Sequence, residues 1–219
     1  MKSIAHLFTC CVILVFICSI AYGQDAGKIV TAMTAKYESF ESFECSGKCQ
    51  PKIGKPFPFS IFFSRPDRMR IDWVSIHPYA PLNIKTPMQI ISNKEKTVMT
   101  NAKGEFGTAK SLRLALAGHS GISTGVSHII PRMLLPNLTS GLHLGDLTNF
   151  QITGNITING IICYEVIGLH PKSKQKNKLY IGQEDHLLHR YESLFAVIEF
   201  DMIKYDIAIE GEIFDIPRK

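Results

Sequence analysis

From Phe57 to Trp73 the chain is apolar at nearly every second residue. Phe57, Phe59, Ile61 and Phe63 alternate with Pro58, Ser60 and Phe62, and Met69, Ile71 and Trp73 alternate with Arg68, Arg70 and Asp72. A period of two places successive side chains on opposite faces, which is the signature of a half-buried β-strand. The two runs meet at Ser64-Arg65-Pro66-Asp67, so they predict a hairpin with one apolar and one charged face. The same device recurs down the chain. Met88–Ser92 and Thr97–Asn101 flank Asn93-Lys94-Glu95-Lys96, and Phe150–Ile156 and Ile161–Leu169 flank Asn159-Gly160, a strong hairpin signal. Lys178–Gly182 and Leu187–Ser193 flank Gln183-Glu184-Asp185-His186, Val197–Ile209 reads as a last long strand, and Ile213–Pro217 as a tail. About nine or ten strands joined by short loops imply an antiparallel meander.

Helical spacing occurs in two places. Ile29, Met33, Tyr37 and Phe40 fall on one face of a predicted helix over residues 26–40, with Asp25 as its cap. Leu112–Ala117 and Ile129–Leu135 predict two short helices around a loop holding Gly118, Gly121 and Gly125, the second interrupted by Pro131 and closed by Pro136. The fold class is therefore α+β: a curved antiparallel sheet with an N-terminal helix and a central helical insert that reads as a mobile lid.

Composition limits the alternatives. The chain has 219 residues, 45% apolar and 20% charged, enough to bury a core. It carries 24 basic and 19 acidic residues, and without Lys2 the remainder is 23 against 19, or +4. That excess is too small to indicate nucleic acid, and no Lys/Arg cluster with interleaved aromatics supports it. From Leu7 to Ala21 there is no charge, whereas later apolar runs are short, which excludes a multi-span membrane protein. Lys2, the apolar run Leu7–Cys18 and the small-x-small triplet Ala21-Tyr22-Gly23 predict a signal peptide over 1–23 and one domain over 24–219, in the periplasm or secreted. The alternatives are an uncleaved anchor and lipid modification of Cys18, which Ile17 disfavours.

Cysteines follow from that address. Cys45, Cys49 and Cys163 remain in an oxidising compartment, so one disulfide plus one thiol is the simplest arithmetic, and all three pairings stay open. On one straight strand Cys45 and Cys49 stand about 13 Å apart at ~3.3 Å per residue. A disulfide bridges only about 4.4–6.8 Å between Cα atoms, so this pair needs a turn at Ser46-Gly47-Lys48. The other arrangement is three buried thiols acting as small apolar residues.

A long sheet with one apolar face must cover it or curl around it. A curved sheet under a helical lid encloses an apolar hollow, and the predicted lining is Phe59, Ile61, Phe63, Met69, Ile71 and Trp73. An acyl chain fits such a hollow, gaining about 0.8 kcal/mol per buried CH₂ without directional contacts.

A helix ending Lys36-Tyr37-Glu38-Ser39-Phe40, a strand, and then Ser64-Arg65-Pro66-Asp67-Arg68-Met69-Arg70-Ile71-Asp72-Trp73 resembles the bacterial lipoprotein-carrier (LolA/LolB-like) superfamily. Asn159-Gly160-Ile161-Ile162-Cys163-Tyr164-Glu165-Val166, Leu179-Tyr180-Ile181 and Leu187-Leu188-His189-Arg190 are similar to its later strands. The resemblance spans most of residues 26–217 and lies nearer the family's uncharacterised periplasmic branch. It departs where Asn93-Lys94-Glu95 replaces an Asp-Gly turn. It implies a half-open barrel with an acyl-chain cavity, and it gives Arg65, beside Pro66, the role of holding the lid helices closed.

Other constellations carry less. Gly118-His119-Ser120-Gly121 has Ile122 where a nucleophile turn needs glycine. His186 and His189 beside Asp185 have no third ligand at motif spacing and read as surface turn histidines, so no metal and no cofactor are expected. Cys163 sits in an apolar strand, the wrong setting for a nucleophile. Asn137-Leu138-Thr139 and Asn155-Ile156-Thr157 fit glycosylation acceptors, a chance-prone pattern. The function read from the residues is a monomeric, non-enzymatic exported protein that binds a lipid or lipoprotein acyl chain. The alternative is an envelope-stress sensor binding a membrane protein partner, and a secreted hydrolase is the remote third. Mass spectrometry of the exported protein is expected to find a chain starting at Gln24, and an intact Met1 would show the anchor instead.

Overall fold

The computed structural model describes residues 25–76, 85–101, 103–138 and 141–217. The segment predicted as a signal, residues 1–23 with Cys10, Cys11 and Cys18, lies outside the described residues. Helix α1 (Ala26–Ser39) precedes strands β1 (Ser42–Pro51), β2 (Phe57–Ser64), β3 (Arg68–Ile76), β4 (Lys85–Ser92), β5 (Thr97–Thr100) and β6 (Phe106–Ala109). Helices α2 (Leu112–His119) and α3 (Ile129–Leu134) follow, then β7 (Thr148–Ile158), β8 (Ile161–Leu169), β9 (Lys176–Gly182), β10 (Leu188–Glu192) and β11 (Ala196–Tyr205).

All eleven strands form one antiparallel sheet in the order β6-β5-β4-β3-β2-β1-β11-β10-β9-β8-β7. Two meanders meet where β1 pairs with β11, and the sheet stays open because β6 and β7 are both edges. This is the predicted curved α+β half-barrel. The chain must pass from one edge to the other between β6 and β7, and that passage is the helical insert. Helix α2 packs on β4 to β6, and α1 packs on α3, β7 and β9.

Local chemistry explains the elements. Asp25 caps α1 by accepting from the Gly27 N–H at 2.9 Å, and Ile29, Met33 and Tyr37 lie on its buried face. Aromatic rings fasten its end: Phe40 stacks on Phe43 of β1 at 5.8 Å and on Tyr205 of β11 at 4.6 Å between centroids. Asn159 and Gly160 take φ of +50° and +83°, as a type I′ hairpin turn requires. Pro131 is the third residue of α3, where a missing N–H has no partner to lose.

Two expectations are corrected, and of the cysteine arrangements left open the structure holds the buried thiols. The last strand ends at Tyr205, not at residue 209, because Asp206 turns the chain (φ +51°) and its carboxylate accepts from the Glu41 N–H at 2.9 Å. Two strands, β1 and β6, add to the predicted set. No disulfide forms among the described residues: Cys45, Cys49 and Cys163 are buried free thiols. Cys45 and Cys49 share β1, and Ser46-Gly47 forms a bulge against β11, not a turn. Cys163 lies on β8, four strand spacings of about 4.8 Å away along the sheet. Burial raises the thiol of Cys49 to about 12 and that of Cys163 to about 11.

The bulge brings β11 very close to β1. A Cβ on Gly47 would stand 2.1 Å from the Glu199 carbonyl oxygen, whereas one on Gly154 of β7 would meet nothing within 4 Å. Gly47→Ala is expected to cost about 3 kcal/mol or more, since backbone must move, and Gly154→Ala under ~1 kcal/mol. Urea unfolding of the two variants checks this, and equal midpoints would contradict it.

Candidate functional site

The six residues predicted to line a hollow do come together, as three directly opposed pairs: Phe59 with Trp73, Ile61 with Ile71, and Phe63 with Met69. They are packed core. Helix α2 presses on this region through His119, whose ring lies 5.5 Å from that of Trp73 and whose Nε2 is 2.9 Å from the Thr100 carbonyl oxygen. None of the six is among the residues that line the large cavity of the molecule.

That cavity, of about 800 Å³, opens at the end of the half-barrel where β1, β8 and β10 finish. The turns supply one wall: Lys52 and Ile53 after β1, His170 and Gln175 after β8, and Leu194 and Phe195 after β10. The insert supplies the roof through Ser120, Gly121, Thr124, Gly125, His128 and Ile129. Leu142 and Leu144 complete it. The roof is tied down from within, as Ser123 Oγ donates to Ser127 Oγ at 2.8 Å and Ser127 Oγ to the Leu116 carbonyl at 3.4 Å. The wall is tied as well, since the Lys52 N–H donates to the Phe195 carbonyl at 2.8 Å.

At the other end of the strands, Arg65 joins the N-terminal helix α1 to helix α3 of the insert. Its Nε donates to the Phe40 carbonyl at 2.8 Å, and its Nη2 to the Glu38 carbonyl and, at 3.2 Å, to the Leu134 carbonyl. Glu38 and Leu134 belong to the last turns of α1 and α3, whose terminal carbonyls have no partner inside the helix. A guanidinium suits them because it offers several donors and meets the negative end of two helix dipoles. Its cation also sits 5.4 Å from the Phe63 ring centre.

The remaining flagged residues are held in structural contacts. Ser120 Oγ donates to the Ala117 carbonyl at 3.0 Å. His189 is buried, not a surface histidine, and its Nε2 lies 2.8 Å from Asp185 Oδ2. Asp185 also accepts from the Leu187 N–H at 2.9 Å. Burial alone would raise its carboxyl, but these two hydrogen bonds bring it below the usual carboxylate range. Reading the sequence missed His128, Ile53, Leu194 and Phe195. The apolar pair Leu194-Phe195 in a hairpin turn was the available signal, since turns are normally polar there.

Fold and site together define an open antiparallel half-barrel, roofed by a helical insert, with a cavity at one end. No protein-family model matches the sequence, and no curated protein matches it. Among solved structures it is similar to the MucA/MucB complex of Pseudomonas aeruginosa, with a TM-score of 0.50 and 9% identity over 88% of this chain and 61% of that one. It is similar to the lipoprotein LppX of Mycobacterium tuberculosis (TM-score 0.49, 12% identity, 86% of this chain and 100% of that one). A LolA superfamily protein from Nitrosomonas europaea also matches (TM-score 0.33, 8% identity, 85% and 97%). These include the group that the sequence resembles, and what the likeness at 0.50 shows is the fold.

His128 lines the cavity, and His143 sits in the chain between the lining residues Leu142 and Leu144. Burial lowers the pKa of His128, whose Nδ1 is buried without a hydrogen-bond partner. Burial also lowers that of His143, with Arg132 adding to it, against Asp146 and Glu38, which raise it. Below the free imidazole value of about 6.5 the unfolded chain therefore binds more protons than the fold. Stability is expected to be full above that value and to fall as the pH drops toward the folded values. Thermal melts of the double variant His128→Gln, His143→Gln should show a weaker dependence between about pH 7 and about pH 5, and an unchanged slope would count against it.

Proposed function

We propose that the protein is a binding protein that holds a lipid acyl chain, free or on a lipoprotein, in the cavity beneath the insert. The observation that carries this reading is the size and lining of that cavity. Its roughly 800 Å³ falls inside the range of about 300–1,000 Å³ usual for small-molecule sites. The apolar side chains of Ile129, Leu142, Leu144, Leu194 and Phe195 need no directional partner from a guest. A buried acyl chain gains about 0.8 kcal/mol per CH₂, so a dozen carbons suffice for useful affinity after the costs of binding. In this reading Arg65 is the latch: it fastens α1 to α3, and release of its carbonyl contacts would let the roof lift from the packed six-residue patch. The likeness in fold to a LolA superfamily protein and to the lipoprotein LppX agrees with it.

A second reading is favoured by one observation, the likeness to a two-protein complex. Here the same fold takes a protein partner and reports on the envelope. Native mass spectrometry of the protein from its own envelope is expected to find bound lipid. A clean apo protein that fails to bind fluorescent fatty acids, yet captures one membrane protein, would favour the second reading. Arg65→Ala is expected to speed both uptake and release of a fluorescent fatty acid and to cost about 2–3 kcal/mol of stability, because charge-assisted bonds to helix ends are lost. Unchanged exchange rates in stopped-flow would remove Arg65 from the latch role.

A further inference from the structure

Besides lining the cavity, the residues at its mouth present apolar side chains to solvent. Ile53, Phe195 and Leu194 are the three most exposed large apolar side chains among the described residues, at 80%, 65% and 58%. All three line the one cavity, and they come from two turns tied together by the Lys52–Phe195 backbone hydrogen bond. Ile122, also exposed, belongs to the roof loop. A cluster of this kind at a rim marks a surface that is covered in use.

Charge identifies the cover. The segments that form the mouth, residues 51–56, 120–129, 142–144, 170–177 and 191–195, hold Lys52, Lys55, Lys172, Lys174 and Lys176 against one acid, Glu192. All five lysines are exposed, and the Glu192 carboxylate already accepts from Tyr180 Oη at 3.1 Å. The turns and tail at the opposite end of the strands, residues 40–42, 64–67, 93–96, 110–111, 183–187 and 206–217, reverse the sign. They hold nine carboxylates against four cations. A molecule polarised along its strands, cationic at the mouth where its three most exposed apolar side chains also lie, orients that end toward an anionic surface with an apolar interior.

We propose that the mouth of the half-barrel docks on an anionic lipid bilayer. Ile53, Leu194 and Phe195 enter the boundary between headgroups and acyl chains, and the five lysines face the lipid phosphates. A bilayer is favoured over a second copy of this chain because, among the described residues, the exposed apolar side chains at the acidic end do not gather into a patch: Ile156 and Ile162 lie on opposite faces of the β7–β8 hairpin and Tyr205 stacks on Phe40. It is favoured over an acidic protein because the apolar residues sit on loop tips around an opening, a shape that enters a soft interface.

The test is co-sedimentation of the purified protein with vesicles of phosphatidylcholine alone and of phosphatidylcholine with phosphatidylglycerol. Binding is expected only to the mixed vesicles, weakening as salt rises. The triple variant Lys172→Glu, Lys174→Glu, Lys176→Glu is expected to lose about a hundredfold in affinity. The double variant Leu194→Ser, Phe195→Ser should bind at least about tenfold more weakly. All five positions are exposed or in turns, and both variants share the wild-type N-terminus, so differences report the rim. A fluorophore on Lys55→Cys should shift to the blue on mixed vesicles while one on Glu95→Cys, at the acidic end, does not. Equal shifts at both labels, or variants that bind as well as the wild type, would overturn the proposal. So would the loss, in the same variants, of a vesicle-independent oligomer. Fatty-acid binding measured without vesicles tests the cavity separately, so failure of one reading is distinguishable from failure of the other.

Discussion

The two free edges of the sheet govern the rest of the molecule. β6 and β7 lie at opposite margins of eleven strands but are neighbours in the sequence of strands. Whatever joins them must cross an apolar face that water would otherwise reach, so the connection has to be amphipathic and compact. Helices α2 and α3 meet that requirement, and α1, arriving from before β1, fills what they leave. The lid is therefore a consequence of strand order. It need not be explained as an addition to a finished barrel.

A roof laid over a sheet in this way is held unevenly. Near the β2–β3 turn, Arg65 gathers the ends of α1 and α3, and α2 presses His119 against Trp73. At the opposite end the cover is the loop between α2 and α3, which brings small residues and no long side chain between Ser120 and Gly125 except Ile122, and that one is exposed. The core is tight where the helices press and hollow where the loop spans. The position of the cavity follows from where the insert changes from helix to loop.

Much of this was legible in the chain. Hairpins were, because period two and turn chemistry agree, most clearly at Asn159-Gly160. The α1 stripe was, because its spacing and its Asp25 cap agree. Strand β1 was not, because its alternating apolar positions are Phe43, Cys45, Gly47 and Cys49, and the two cysteines invite a redox question before a packing one. In the fold they are simply small buried side chains in a strand. β6 is four residues long at a sheet edge, too short for a pattern to repeat. The cavity at the end of the half-barrel was not legible for a related reason. Alternation reports which side chains face inward, but it cannot report whether the space in front of them is filled.

That space is decided by the partner layer, and here by glycine. Gly125 adopts φ of +97°, and a Cβ there would stand 3.3 Å from Ile129 and 3.8 Å from Ile198 of β11. The roof therefore touches the sheet at this point through backbone alone, a conformation that side chains rarely take. Gly121, four residues earlier, has open space where its Cβ would lie. One glycine lets the loop descend to the sheet and the other leaves the volume above the turns unfilled. The roof of the void is thus shaped at two points by residues without a side chain, a different rule from the one that built the strands beneath it. A reading based on apolar side chains alone finds the core and passes over the cavity beside it.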